Sequence, residues 1–243
     1  MKSRTWNIGV SSGLISIFLA LSPLNASEVE NFESLEVLNT VLPEYPVRLA
    51  YEGIYAGSAR LVISVDGSGK LTDVFEESYS HPEIGRLANK YIRKWTFRPA
   101  KLNGEPITSV KPIDFYFDDK RGVYSIGVPE AAASYFVFGD HLGSKRIYNA
   151  EELDRELEPV TMENALYPRA LKDSGVDGMA VVTFYVDEKG RVRMPHTTDY
   201  SHISFGESAL STVKEWRFKP PTVNGKPVSI HVQQRFNFKG TER

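Results

Sequence analysis

The sequence predicts an α+β protein made of two tandem copies of one small domain, each an antiparallel sheet covered by an amphipathic helix. Three observations lead to this fold class. The 243-residue chain repeats itself once at a long interval, each repeat contains runs of alternating apolar and polar residues, and each contains one apolar stripe at helical spacing. Solenoid repeats have units of about 20 to 50 residues, so an interval this long indicates two domains.

The repeat begins at Tyr45-Pro46, which recurs 122 residues later as Tyr167-Pro168, and a one-residue deletion then reduces the offset to 121. Its longest match is "KWTFRPAKLNG" at residues 94–104 against "EWRFKPPTVNG" at residues 215–225. Other matched positions are Gly53 with Gly175, Asp66 with Asp187, Gly69 with Gly190, Tyr79-Ser80-His81 with Tyr200-Ser201-His202, and Phe115 and Phe117 with Phe236 and Phe238.

The first half of each copy is predicted to hold a short helix and two strands. The helical stretch after Tyr-Pro ends at Gly53 or Gly175, because glycine readily adopts the left-handed backbone that closes many helices. "ARLVISV" and "VVTFYV" alternate with period two, which predicts half-buried strands. "DGSGK" and "DEKGR" predict turns that lead into hairpin partners, and the first lacks the spacing of a phosphate-binding loop.

The second half of each copy is predicted to hold the covering helix, a hairpin and an aromatic closing strand. The apolar stripe of the helix ends on Trp95 or Trp216, and its other members are Ile84, Leu87, Ala88, Tyr91 and Ile92 in the first copy and Phe205, Ala209 and Val213 in the second. Asn-Gly at residues 103–104 and 224–225 predicts tight hairpins. The closing strands are "IDFYF" and "RFNFK".

This order of motifs resembles the carboxy-terminal domain of the TonB family. The resemblance is carried by Tyr-Pro, a strand ending in Val-Asp-x-x-Gly, a helix closing on Trp-x-Phe-x-Pro, then Asn-Gly-x-Pro and a final Phe-x-Phe, and it covers residues 45–117 and 167–238. TonB couples the inner membrane of bacteria to outer-membrane receptors through an uncleaved anchor, a Pro-rich spacer and one such domain. This chain has two copies and no spacer of that composition, so direct force transfer is not its expected role.

The amino terminus has the pattern of a secretory signal peptide. Lys2 and Arg4 precede an apolar run that ends in "LNAS", which predicts cleavage after Ala26. An uncleaved membrane anchor is the alternative, although serine and glycine dilute the run below the ~20 apolar residues that a span needs. We expect a signal peptide at 1–26, a first TonB-like domain at 27–118, an ordered connector with added strands at 119–160, and a second such domain at 161–240.

Composition narrows the classes of function. The chain carries 29 Lys and Arg against 31 Asp and Glu, and this slightly acidic balance does not favour nucleic-acid binding. It contains no cysteine. Export without disulfides fits the periplasm of a two-membrane bacterium, and inner-membrane anchoring is the alternative location.

No motif of catalysis or of cofactor or metal binding is found in the sequence. Tyr-Ser-His occurs in both copies, but adjacent side chains rarely face each other as a nucleophile and its base do. We expect capping boxes instead, with Ser80 and Glu83 in one copy and Ser204 and Glu207 in the other. The two histidines of these motifs are expected at the surface beside the caps. The chain is therefore expected not to be an enzyme and to need no cofactor.

We expect a protein-binding module of the periplasm. The resemblance implies that a partner's extended peptide is added as a strand at an exposed sheet edge. The edge expected is the closing strand of each copy with the segment that enters Tyr-Pro, which gives these partner-binding candidates: Tyr45, Pro46, Phe115, Phe117, Tyr167, Pro168, Phe236 and Phe238. The expected partners are cell-envelope proteins, either outer-membrane receptors or inner-membrane transport subunits.

One structural alternative and two other functions stay open. The copies could pair their edges with each other and hide them. The chain could also be a TonB-type energy transducer that keeps its amino-terminal anchor. An enzyme ranks third, because the sequence offers no polar cluster for chemistry.

Overall fold

The computed structural model describes residues 31–120, 122–124, 144–172 and 174–240. These fall into two compact units whose boundary in the sequence lies between Arg146 and Ile147. The predicted signal peptide and residues 125–143 of the predicted connector lie outside the described residues. No helix of the described ranges combines the length and the apolar character needed to cross a membrane.

The first unit is a four-stranded antiparallel sheet with one covering helix. Its elements are β1 (Phe32–Glu33), β2 (Glu36–Asn39), α1 (Val47–Tyr51), β3 (Ala56–Val65), β4 (Leu71–Tyr79), α2 (Pro82–Ile92), β5 (Thr96–Arg98), β6 (Ala100–Leu102), β7 (Glu105–Ile107), β8 (Ser109–Asp118) and β9 (Gly122–Tyr124). The central sheet has the order β4-β3-β8-β9, and α2 packs on β3 and β4. β1 pairs with β6 and β2 with β5, so the residues before the repeat belong to the fold.

The second unit repeats this plan. Its elements are β10 (Ile147–Tyr148), β11 (Pro159–Thr161), β12 (Gly178–Val186), β13 (Val192–Tyr200), α3 (Ile203–Glu215), β14 (Arg217–Phe218), β15 (Thr222–Val223), β16 (Lys226–Pro227) and β17 (Ser229–Phe238), with short 3-10 helices at Ala150–Glu152 and Arg169–Leu171. The main sheet has the order β10-β17-β12-β13, and only β10 within it runs parallel to its neighbour. The predicted fold class, an α+β arrangement of mostly antiparallel sheets with covering helices, is confirmed.

Each unit has its own hydrophobic core between sheet and helix. The inward faces of β3 and β12 supply Leu61, Ile63 and Val65, and Val182, Phe184 and Val186, all at 0% exposure. Both stripe-ending tryptophans are buried, at 6% and 3% exposure, as the helical stripe predicts. Burying a large apolar side chain contributes about 1.5–3 kcal/mol, so these strands and helices hold each unit together.

The predicted turns are confirmed in both copies. Asp66 Oδ1 accepts hydrogen bonds from the backbone N–H of Ser68 and Lys70, and Asp187 Oδ1 accepts them from Lys189 and Arg191, at 2.9–3.1 Å. The Asn-Gly hairpins have both central residues at positive φ, 52° and 84° in the first copy and 51° and 71° in the second. These are the angles of the tight hairpin turn that Asn-Gly favours.

Candidate partner-binding site

The tryptophans at the helix ends fix the segments that enter Tyr-Pro. We call residues 41–46 and 163–168 the leading segments. The indole Nε1–H of Trp95 donates to the carbonyl oxygen of Val41 at 2.9 Å, and that of Trp216 donates to Glu163 at 3.0 Å. A buried indole N–H normally finds a partner, and here it ties each leading segment to the end of the covering helix.

The tyrosines of Tyr-Pro close the short helix that follows them. The hydroxyl of Tyr45 donates to the carbonyl oxygen of Ile54, and that of Tyr167 donates to Val176 at 2.7 Å. Burial, and then the negative charge of Asp119, raise the pKa of Tyr45 to about 12, so this hydroxyl stays a donor. Tyr45, Tyr167, Pro46 and Pro168 are all half-buried, which leaves part of each side chain accessible.

The phenylalanines of the closing strands face the cores. Phe115 and Phe117 on β8 are 0% and 1% exposed, and Phe238 on β17 is 5% exposed. Phe236 is half-buried and lies 5.6 Å from Trp216 between ring centroids. Contact with a partner at these positions would therefore use the backbone of the strand more than its aromatic side chains.

The outer edge of β8 is covered at its carboxyl end. Residues Tyr116–Asp118 pair with β9 on that side and with β3 on the other. The remainder of the strand contains Pro112, which is exposed and pairs with Val62 of β3. Proline is tolerated within a sheet where its missing N–H would face the outer edge. This edge therefore lacks one donor that an added strand would need.

The outer edge of β17 is covered at the opposite end. Its first two residues, Ser229 and Ile230, pair with β10. From His231 to Phe238, β17 pairs with β12 on its inner side, and no other strand of the described residues pairs with its outer side. Gln233 is the counterpart of Pro112, since it pairs with Thr183 as Pro112 pairs with Val62, and it keeps its N–H. The longer open edge is thus in the second copy.

A groove of about 520 Å³ lies beside the leading segment of the first copy. It is lined by Pro43, Glu44, Tyr45, Val47, Ala50, Asp119, Gly122 and Val123. Of these, sequence reasoning named only Tyr45. The groove forms where α1 and the turn between β8 and β9 approach each other, and a three-residue strand such as β9 has too few residues to show a periodicity.

The repeated Tyr-Ser-His is structural, but the predicted capping boxes are wrong. His81 and His202 are the capping residues, since their Nδ1 atoms accept the backbone N–H of Glu83 at 3.2 Å and of Ser204 at 3.1 Å. The serines instead join the helix start to the sheet: Ser80 Oγ accepts from Ser58 N–H at 3.0 Å, and Ser201 Oγ from Met179 N–H at 2.9 Å.

The cap explains the position of both histidines and gives neither a catalytic geometry. In the described ranges there is also no cluster of three or more His, Cys, Asp or Glu side chains that could hold a metal ion.

Comparison with known proteins matches both repeats. The family model for the Gram-negative bacterial TonB protein C-terminal matches residues 41–118 and 163–239. The chain is 29% identical over 77 residues to protein TonB of Vibrio cholerae, covering 30% of this chain and 32% of that protein. It is 26% identical over 91 residues to protein TonB of Pseudomonas aeruginosa, covering 37% and 27%.

Among solved structures, the chain is similar to the solution NMR structure of the Pseudomonas aeruginosa TonB CTD. The two are 26% identical, the match covers 37% of this chain and 92% of that one, and the TM-score is 0.33. The chain thus matches about a third or less of the length of the TonB proteins it resembles.

Proposed function

The chain belongs to the TonB C-terminal domain family, and on that premise we propose that it is a non-enzymatic protein-binding module of the bacterial periplasm. The family is linked to TonB-type energy transduction. The proposed role is that of an adaptor that binds extended segments of cell-envelope proteins by adding them as strands to its own sheet. Its proposed partners are outer-membrane receptors or inner-membrane transport subunits.

The observation that carries this proposal is the outer edge of β17 from His231 to Phe238. Backbone groups at a sheet edge form hydrogen bonds with any extended chain of suitable register, and side-chain contacts then add specificity. The leading segment with Tyr167 and Pro168 and the accessible part of Phe236 are the proposed side-chain contacts. Phe238 contributes through its backbone.

The first copy is proposed to bind a strand less well. β9 already pairs with β8 at Phe117, and Pro112 removes one donor from the remaining edge. Phe115 offers only backbone, and the leading segment with Tyr45 and Pro46 lies beside the groove rather than beside a long open edge. We therefore propose that the two copies have the same fold but expose different lengths of sheet edge.

The test of strand addition is Gln233→Pro, which gives β17 the residue that β8 carries at the equivalent position. Because the first copy folds with proline there, we expect the variant to keep its circular dichroism spectrum and thermal transition. The matched control is Gln233→Ala, which shortens the same side chain but keeps the N–H. Both variants and the unchanged chain are immobilised, and captured envelope proteins are identified by mass spectrometry.

The proposal predicts that receptors or transport subunits are captured by the unchanged chain and by Gln233→Ala, and lost with Gln233→Pro. Equal capture by all three would contradict binding at the β17 edge. Capture of nothing above a bead control would contradict the partner-binding role itself.

A transducer with a retained amino-terminal anchor is the second candidate, favoured by the apolar run after Lys2 and Arg4 and by the relation to proteins TonB. The mass of the amino terminus of the protein from the cell envelope decides between the two. Cleavage after Ala26 supports the adaptor, whereas an intact amino terminus in the inner-membrane fraction supports the transducer.

A further inference from the structure

The groove of the first copy has apolar residues in its lining, and exposed apolar residues follow in the same chain segment. Val47 and Ala50 of α1 and Val123 of β9 line it. On the same helix face as Val47, one turn on, Tyr51 is 88% exposed, and Val47 itself is 63% exposed. Tyr55, 57% exposed, is linked to the lining residue Asp119 through the backbone, since its carbonyl oxygen accepts the N–H of Asp119 at 3.0 Å. An exposed apolar cluster around a concavity is typical of a binding surface.

The groove is also acidic. Glu44 and Asp119 line it and are exposed. Asp118 and Glu83 lie close enough to Tyr45 for their charges, like that of Asp119, to raise its pKa. Among the described residues, Arg48 is one base beside this cluster and is shared between Glu52 at 3.0 Å and Glu83 at 3.9 Å, and Lys120 follows Asp119 in the chain. A cationic ligand would therefore meet a field of favourable sign in this groove.

At the equivalent positions the second copy carries bases or neutral residues where the first carries acids or neutral residues. Counterparts at the repeat offsets place Leu166 at Glu44, Arg169 at Val47, Lys172 at Ala50, Lys239 at Asp118 and Gly240 at Asp119. Asp177 pairs with Lys239 at 2.5 Å and offsets one of these bases. The change of charge alters which ligand each copy would attract.

We propose that the groove beside Tyr45 is a second binding site, separate from the β17 edge, and that it takes an extended segment of a partner protein in which apolar residues alternate with Lys or Arg. The apolar side chains lie against Val47, Ala50 and Val123. The basic side chains pair with Glu44 and Asp119. The site goes beyond the strand addition proposed above and does not depend on it.

The probes for this site are two fluorescein-labelled peptides of equal length, one alternating valine with lysine and the other alternating valine with glutamate. Their binding to the full chain is followed by fluorescence anisotropy at two salt concentrations. The proposal predicts that the lysine peptide binds and weakens at high salt, because exposed charges are screened. Asp119→Lys is expected to raise its Kd about fivefold or more.

Two control variants locate the site. Glu105→Lys makes the same change of charge at another exposed position of the first unit and should change the Kd little. Gln233→Pro should leave binding of the lysine peptide unchanged, because the groove and β17 are in different copies. Since Asp119, like Glu105, is exposed, both lysine variants are expected to fold, and circular dichroism checks this.

Several outcomes would overturn the proposal. They are no binding of the lysine peptide, equal binding of both peptides, the same loss with Glu105→Lys as with Asp119→Lys, or loss with Gln233→Pro. The last result would place the peptide at the β17 edge and so favour strand addition without the groove. Sedimentation could also show that the chain associates with itself and that Asp119→Lys abolishes this association. The occupant of the groove would then be the basic residues of a second copy of the chain, Arg169, Lys172 and Lys239, instead of a partner protein.

Discussion

At the scale of single residues, Trp216 anchors the leading segment of the second copy through its indole N–H. Trp216→Phe keeps a buried aromatic ring but leaves the carbonyl oxygen of Glu163 without this donor. We expect a loss of about 1–3 kcal/mol in the free energy of unfolding, measured by urea denaturation. Tyr200→Phe, at a side chain that is 42% exposed, serves as the control and should change it by less than about 0.5 kcal/mol. Equal stability of the two variants would mean that the indole bond is not an anchor.

Gly190 and Gly225 separate two costs of replacing a glycine by alanine: the unusual backbone angle, and the collision of the added Cβ with a neighbouring atom. Both have positive φ, 74° and 71°. A Cβ at Gly190 would collide with the carbonyl oxygen of Phe218, whereas one at Gly225 would have nothing within 4 Å. We expect Gly225→Ala to cost about 1–2 kcal/mol from the backbone angle alone, and Gly190→Ala to cost clearly more. Thermal or urea unfolding measures both, and similar losses would show that the turn yields to the added methyl group.

Tyr-Ser-His shows what local sequence can predict at this scale. Serine and histidine can both accept a hydrogen bond at a helix start, and the sequence correctly places a capped helix after the motif. The choice between them depends on pairing with the sheet. Ser80 exchanges backbone and side-chain hydrogen bonds with Ser58, 22 residues earlier, which leaves the next residue, His81, as the cap. A contact of that sequence separation is not visible in a short motif.

At the scale of elements, each copy supports its Asn-Gly hairpin in its own way. In the first copy β1 pairs with β6, and Asn103 N–H donates to Asn31. In the second copy the carboxylate of Asp154 accepts the N–H groups of Asn224 and Gly225 at 2.8 and 2.9 Å. Their hydrogen bonds, that of Gly225 foremost, lower the pKa of Asp154, so it stays ionised in neutral solution.

We predict that Asp154→Ala speeds amide hydrogen exchange at Asn224 and Gly225, because both N–H groups lose their acceptor. Exchange at Asn103 and Gly104 is the internal control, since Asn103 N–H donates to the backbone carbonyl oxygen of Asn31. The prediction fails if the four amides keep their original rates, or if all of them change together.

The elements that sequence predicted are those with a repeated pattern. β3, β4, α2 and their counterparts show clear periodicity or turn residues, and the structure has them. The sequence predicts added strands within residues 119–160, and β9 and β10 lie there. Each is only two or three residues long and differs between the copies, so neither periodicity nor the repeat gives its position or its pairing partner. Their positions decide which edge is covered and where the groove lies, which is why the candidate site was only partly predicted.

At the scale of the whole molecule, one domain design occurs twice with different surfaces. The cores repeat closely, whereas the covered ends of the closing strands, the proline of β8 and the charges around Tyr-Pro differ. The aligned repeats already show that charges differ between the copies, for example Asp114 against Arg235. Only the structure shows that such differences lie around a groove. We therefore expect the two copies to bind different segments, either of one partner or of two.

The most direct test of strand addition is amide hydrogen exchange of the full chain with and without a partner recovered by capture. We expect slower exchange for amides between His231 and Phe238 when the partner is bound, because an added strand would accept the outward-facing N–H groups. Amides of β8 between Ser109 and Phe115 should change much less. Slower exchange confined to β8, or no change in β17 while the partner is bound, would show that the partner is not added as a strand at β17.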